Sequence, residues 1–206
     1  YDELFLLVRR TINGVTKRYI EVMESGMSEE AADTKECFFV DSGLSYHGAE
    51  VSGVSGLDHL EGQTVAVLAD GAVQTEKVVK NGQIILDAPA SIIHAGLPFS
   101  SVLQTMPLTG IGQDGVSEES KKRVCGVMLR LYKTLGFSIG GDNDAEMQSF
   151  RTTSDAMNAP PALFSGDKKV AFQGKWERMS TIRLEQNQPL PLTVLGIFPV
   201  VSTSRI

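Results

Sequence analysis

In the stretch Ser55-Gly56-Leu57-Asp58-His59-Leu60-Glu61-Gly62, a histidine stands between two carboxylates within four positions. A general base or a metal ligand set would use those residue types. The spacing is poor for either. Adjacent side chains on a strand point to opposite faces, so Asp58 and His59 diverge unless a tight loop turns both inward. Ser55-Gly56 and Glu61-Gly62 bracket the segment as a turn, in which Asp and Glu cap backbone donors while Leu57 and Leu60 enter the core. The turn is the preferred reading, and a hydrolase using Asp58, His59 and Glu61 is the least favoured function class.

The remaining chemistry-bearing residues are scattered. His47 and His94 complete a set of three histidines, so a three-histidine metal site would consume them all. His94, in the apolar run Ile92-Ile93-His94-Ala95, reads as a core or interface residue making one hydrogen bond. Cys37 and Cys125 lack partners at zinc-ligand spacing and read as two free, buried thiols, with a bridge between them left open. Asp142-Asn143-Asp144-Ala145-Glu146 resembles part of a calcium loop but lacks the ligand rhythm and the distant bidentate Glu. It reads as a solvated loop, with weak calcium binding as the alternative. Gly110-Ile111-Gly112-Gln113-Asp114-Gly115 has no strand-to-helix setting, and there is no GxSxG, HExxH or P-loop. Trp176 could stack a sugar, with Tyr46 and nearby loops completing a glycan platform, although an aromatic covering the core at a strand end is preferred. No catalytic, cofactor-binding or metal-ligating residue is therefore assigned, and no cofactor is expected.

Composition narrows the classes. The 206 residues suffice for one large domain or two small ones with a core. The 42% hydrophobic and 21% charged content is that of an ordinary folded protein, and no run approaches the roughly 20 apolar residues of a membrane helix. A net charge of −6 argues against a surface that grips nucleic acid throughout. Arg9-Arg10 and Lys121-Lys122-Arg123 read as solvated flanks. The opening Tyr1-Asp2-Glu3-Leu4-Phe5-Leu6-Leu7-Val8 has no basic n-region and is not read as a signal peptide.

The elements that must position these residues are strands. Leu4 to Thr11 and Val15 to Met23 flank Asn13-Gly14, the strongest short-range hairpin signal, because both residues tolerate the positive φ of a type I′ turn. A lone hairpin buries too little to stand alone. Residues 1–25 are thus expected to belong to, or pack on, an upstream region, later residues or another subunit. Ser28 to Ala32 could make a helical turn in a polar linker. From Cys37 short runs recur: Val65 to Ala69, Val73 to Val79, Ile84 to Leu86, Ser91 to His94 and Ser101 to Met106, with Asp70-Gly71 and Asn81-Gly82 between some of them. This pattern predicts a small antiparallel β-barrel or sandwich over 36–110. Lys122 to Thr134 fits both a helical stripe and a strand face; Gly126 and alternating Arg130, Tyr132 and Thr134 favour the strand. Ser117 to Lys122 could form a capped helical turn. With Phe137 to Ile139, Met147 to Thr152, Lys168 to Phe172, Thr181 to Gln186 and Leu192 to Val201, residues 117–206 make a second antiparallel region, separate or fused with the first. Pro199 suits an edge. The fold class is mainly β with little helix.

Val8-Arg9-Arg10-Thr11-Ile12-Asn13-Gly14 with Arg18-Tyr19-Ile20-Glu21, then Val40-Asp41-Ser42-Gly43-Leu44, Gly56 to Gly62 with Val65 to Ala72, Ile93-His94-Ala95-Gly96-Leu97-Pro98, Leu129-Arg130-Leu131-Tyr132 and Leu163 to Asp167 follow one another along nearly the whole chain. This succession resembles the carboxy-terminal part of bacteriophage tail structural proteins, nearest to the tail nozzle or tail tubular protein B of short-tailed phages and prophages. The resemblance implies a non-enzymatic virion component, a ring commonly of six copies, neighbouring adaptor and tail proteins, and a channel for DNA ejection. It also implies a larger β-rich region before Tyr1, and a location in the virion tail, with the host cytoplasm during assembly. An acidic wall suits a channel in which DNA must slide rather than stick. A surface glycan- or receptor-binding module is the alternative function.

Overall fold

The computed structural model describes residues 3–24, 33–108, 111–112, 115–116, 120–141, 145–155 and 159–204. It is mainly β with several antiparallel sheets, as the turn-punctuated sequence predicts, and among the described residues no sheet closes into a barrel. The barrel alternative is therefore replaced by open, sandwich-like modules. The chain divides into two compact units, the first comprising 1–99 with 152–162 and 188–191, the second 100–151, 163–187 and 192–206. The expected helical turns at Ser28 to Ala32 and from Ser117 lie wholly or in part outside the described residues.

In the first unit β1 (Phe5–Ile12) and β2 (Val15–Val22) form a hairpin, and β3 (Asp41–Ser55), β4 (Thr64–Ala69), β5 (Ala72–Val73), β6 (Lys77–Val78) and β7 (Gln83–Leu97) form a sheet of order β3-β7-β4-β5, with β6 also on β4. All three predicted glycine turns take the left-handed conformation at both central residues: φ is 49° and 76° at Asn13-Gly14, 47° and 79° at Asp70-Gly71, and 54° and 66° at Asn81-Gly82. That is the type I′ geometry whose twist matches the flanking strands. The β4 sequence Thr64-Val65-Ala66-Val67-Leu68-Ala69 is buried at every position after the first. A short continuous apolar run is what a strand covered on both faces requires.

Two strands are longer than the sequence suggested. The runs Ile84 to Leu86 and Ser91 to His94 are one fifteen-residue strand, β7, and the Ser- and Gly-rich Asp41–Ser55 opposite it is a strand that apolar patterning does not reveal. The β3–β7 ladder slips between His47 and Val51 and again before Gly53, beside Pro89, which has no N–H to give the ladder. The expected run Val73 to Val79 is instead split. Gln74 bonds Val67 and Ala88, and Thr75 and Lys77 bind Asp87, pulling this stretch out of a continuous strand. Those bonds hold the Asp87 carboxyl down to about 2, led by the Lys77 ammonium.

In the second unit the strands are β8 (Ser101–Gln104), β9 (Ile111–Gly112), β10 (Gly115–Val116), β11 (Lys122–Thr134), β12 (Phe137–Gly140), β13 (Glu146–Gln148), β14 (Phe164–Ala171), β15 (Arg183–Gln186) and β16 (Val194–Thr203). Sheets β14-β11-β16 and β13-β12-β15-β8 share one core, in which Val127, Leu129, Leu131 and Val170 meet Phe137, Ile139, Ile182 and Leu184. Lys122 to Thr134 is the strand that Gly126 and the polar alternation predict, and Pro199 sits on edge strand β16. Cys125 departs from expectation. The β11–β16 register slips between Val124 and Gly126, so Cys125 is the extra residue of a bulge and turns outward, exposed, while Cys37 is buried; no disulfide joins them. Lys122 also departs from expectation. Far from a solvated flank, it is 2% exposed, with Nζ 3.4 Å from the Arg178 carbonyl oxygen.

Candidate functional site

The turn Ser55 to Gly62 does not gather Asp58, His59 and Glu61 around one point. Leu57 and Leu60 are fully buried in the first unit's core, as a plugging turn requires. The Glu61 carboxylate accepts from both backbone amides of the Asn81-Gly82 turn, at 3.0 and 2.8 Å. Asp58 lies against Gly82, where a side chain would strike its carboxylate. His59 points elsewhere, with Nε2 2.8 Å from the Ser42 carbonyl oxygen and its ring edge-on to Tyr19 at 6.2 Å. Since a carbonyl only accepts, Nε2 carries the proton there.

His59 thereby joins residues that sequence reasoning passed over. Arg10 grips Glu21 with two bonds, Nε to Oε1 at 3.0 Å and Nη2 to Oε2 at 2.9 Å, and reaches Asp41 Oδ1 at 2.8 Å. Ser42 Oγ donates to Glu21 Oε1 at 3.1 Å. The strands set this cluster. On the hairpin, Val8, Arg10, Ile12, Tyr19 and Glu21 are half-buried on one face while their neighbours are exposed, so the period of two sends Arg10 and Glu21 inward together. Ser42 and Gly43 oppose the single residue Gly96 in a bulge of β3 on β7, and Ser42 takes φ 49° there. At the hairpin's tip, Asn13 Nδ2 donates to the Glu61 carbonyl and Gln63 Nε2 donates to Asn13 Oδ1. The turn is thus where the hairpin docks. Its advance signal was Arg10 and Glu21 falling on one face of the predicted hairpin, although Arg9-Arg10 itself read as a solvated flank.

Electrostatics agree with a fastening role. Arg10 holds the Glu21 carboxyl below the usual carboxylate range, and Ser42 lowers it further. A carboxylate so stabilised is a weak proton acceptor for Ser42, and the proton on His59 Nε2 is spent on a backbone oxygen. Beside the cluster lies a groove of about 880 Å³, lined by Leu6, Tyr19 to Glu24, Phe38 to Ser45, His59 and Phe99.

No protein-family model and no curated protein matches the chain.

The other sequence candidates are dispersed. His94 is buried; its Nε2 donates to the Lys35 carbonyl at 2.9 Å and its Nδ1 accepts from Ser45 Oγ at 2.7 Å, two bonds rather than the single one expected. The exposed His47 ring stands 5.8 Å away. Tyr46 Oη donates to the Ala49 carbonyl in the first unit, whereas Trp176, 46% exposed, belongs to the second. Among the described residues, no three His, Cys, Asp or Glu side chains are grouped to hold a metal ion. Asp142 to Asp144, Gly110, Gln113 and Asp114 lie outside the described residues.

His94 yields a pH prediction. Burial pushes its imidazole below the ordinary value, with His47 adding to the effect and the Lys35 carbonyl and Glu36 opposing it. The unfolded chain then binds the extra proton first as pH falls, so the contribution is intact above about 6.5 and is lost progressively below it. Urea unfolding from pH 8 to 5.5 is expected to show this loss, with a shallower slope in His94→Gln.

Proposed function

We propose that the protein is a non-enzymatic structural component of a bacteriophage virion, working by subunit packing in a tail nozzle ring that forms part of the DNA-ejection channel. Its partners are further copies of itself, with six in the ring, and the adjoining adaptor and tail proteins. DNA passes through without sequence-specific capture. The reading rests on the ordered motifs from Val8 to Asp167. The observation that carries it is the use made of the reactive side chains: Arg10, Glu21, Ser42, His59 and Glu61 all bond to one another or to backbone, fastening a ribbon whose other face is open and apolar. Such a module presents a surface rather than transforming a substrate.

Immunogold labelling of virions from a strain carrying the gene tests the proposal. Label confined to the tail is expected, and virions that lack the protein would overturn it.

A further inference from the structure

We propose that the outer face of the β1–β2 hairpin docks, head to tail, on the acidic body of a second copy of this chain. The inference rests on the structural reading above and specifies one seam of the assembly. Register places Phe5 opposite Val22, Leu7 opposite Ile20 and Arg9 opposite Arg18. By alternation these six side chains share the face turned away from the Arg10 cluster. All six are exposed, Leu7 and Ile20 by 74% and 77%. Four large apolar groups on one short ribbon, flanked by two guanidinium groups, form a contiguous patch of the kind that marks an interaction surface.

Charge identifies the occupant. The strands Phe5–Ile12 and Val15–Val22 contain Arg9, Arg10, Lys17 and Arg18 against Glu21 alone, a balance of +3 within a chain of −6, which leaves −9 for everything else. Residues 33–99, the body on which the hairpin is fastened, hold three lysines against nine carboxylates. A cationic, apolar ribbon therefore projects from an anionic body in every copy. Ribbon against ribbon sets arginines against arginines, whereas ribbon against body pairs opposite signs while covering the leucine and isoleucine. The favoured contact joins two different surfaces, the heterologous kind that repeats from copy to copy.

Sedimentation velocity over a concentration series is the test, using the whole chain and four exposed side chains whose replacement leaves the core intact. The wild type is expected to self-associate, less so as salt is raised. Leu7→Ser with Ile20→Ser, and separately Arg9→Gln with Arg18→Gln, are each expected to weaken association by about tenfold. The arginine pair decides orientation, because neutralising it relieves a ribbon-to-ribbon contact and strengthens that association instead. A monomeric wild type, variants that associate like the wild type, or stronger association of the arginine variant would each overturn the inference. Gold label on the virion tail together with hairpin variants that leave association unmoved would overturn this seam alone and leave the virion reading standing.

Discussion

Replacing Gly96 by alanine is expected to destabilise the first unit by about 3 kcal/mol, at the upper end for forcing atoms into a filled site. A methyl group at Gly96 would lie 2.7 Å from the Gly43 Cα and 2.8 Å from the Asp41 carbonyl oxygen, and neither backbone can rotate aside as a side chain would. The nearest relief is to push β3 off β7 where Ser42 and Gly43 oppose Gly96, the bulge that carries Asp41 and Ser42 to the hairpin. Loss of stability should therefore come with loss of hairpin anchoring. Amide exchange followed by mass spectrometry is expected to accelerate in 41–47 and in 5–22 together. Unchanged exchange in the hairpin would separate the bulge from the anchor.

The second large effect is expected from Arg10→Ala, about 2–3 kcal/mol, just under the roughly 3–5 kcal/mol for breaking a fully buried pair, because both partners retain some solvent contact. The side chains of Arg10 and Glu21 are 17% and 19% exposed, and their bond is bidentate. Removing the guanidinium leaves Glu21 with the Ser42 hydroxyl and Asp41 without its cation. Arg10→Lys keeps the charge but not the fork, so an intermediate loss is expected. The acid side carries a matching signature. With the Glu21 carboxyl lowered on folding, its contribution is present above the ordinary glutamate range and fades as pH falls below it. Arg10→Ala should flatten that part of the stability profile in urea titrations. Equal slopes for variant and wild type would show the pair to be energetically idle.

The legible parts of the fold were those that local chemistry dictates. Asn13-Gly14, Asp70-Gly71 and Asn81-Gly82 specify type I′ corners from two residues each, and the apolar run Val65 to Ala69 announces a strand covered on both sides. The strand Asp41–Ser55 was illegible because its serines and glycines carry no alternation, and its partner β7 supplies the reason for it to be extended. Cys125 and Lys122 failed for a related reason. A bulge one residue long flips the face of Cys125, and Lys122 is buried where β11 bridges Glu177, a pairing 55 positions away in the chain. In the hairpin seat, Glu61 was readable as a turn cap from its neighbours. Arg10, Glu21, Ser42 and His59 were not readable as a group, since Arg10 reaches Asp41 and His59 reaches Ser42 only once hairpin and turn have both come up against β3.

The order of the strands along the chain has a consequence for biosynthesis. The sheet β3-β7-β4-β5 and the hairpin draw on residues up to Leu97, so both are available for pairing once the first half of the chain has left the ribosome. In the second unit, β8 finds its only described partner in β15, some eighty residues later, and β11 waits for β16 near the carboxyl end. Long-range pairings of this kind close slowly and leave strand edges uncovered meanwhile. Ribosomes stalled before the codons of β15 and β16 should therefore hold a nascent chain in which residues up to Leu97 resist protease while those from Ser101 onward are still cut.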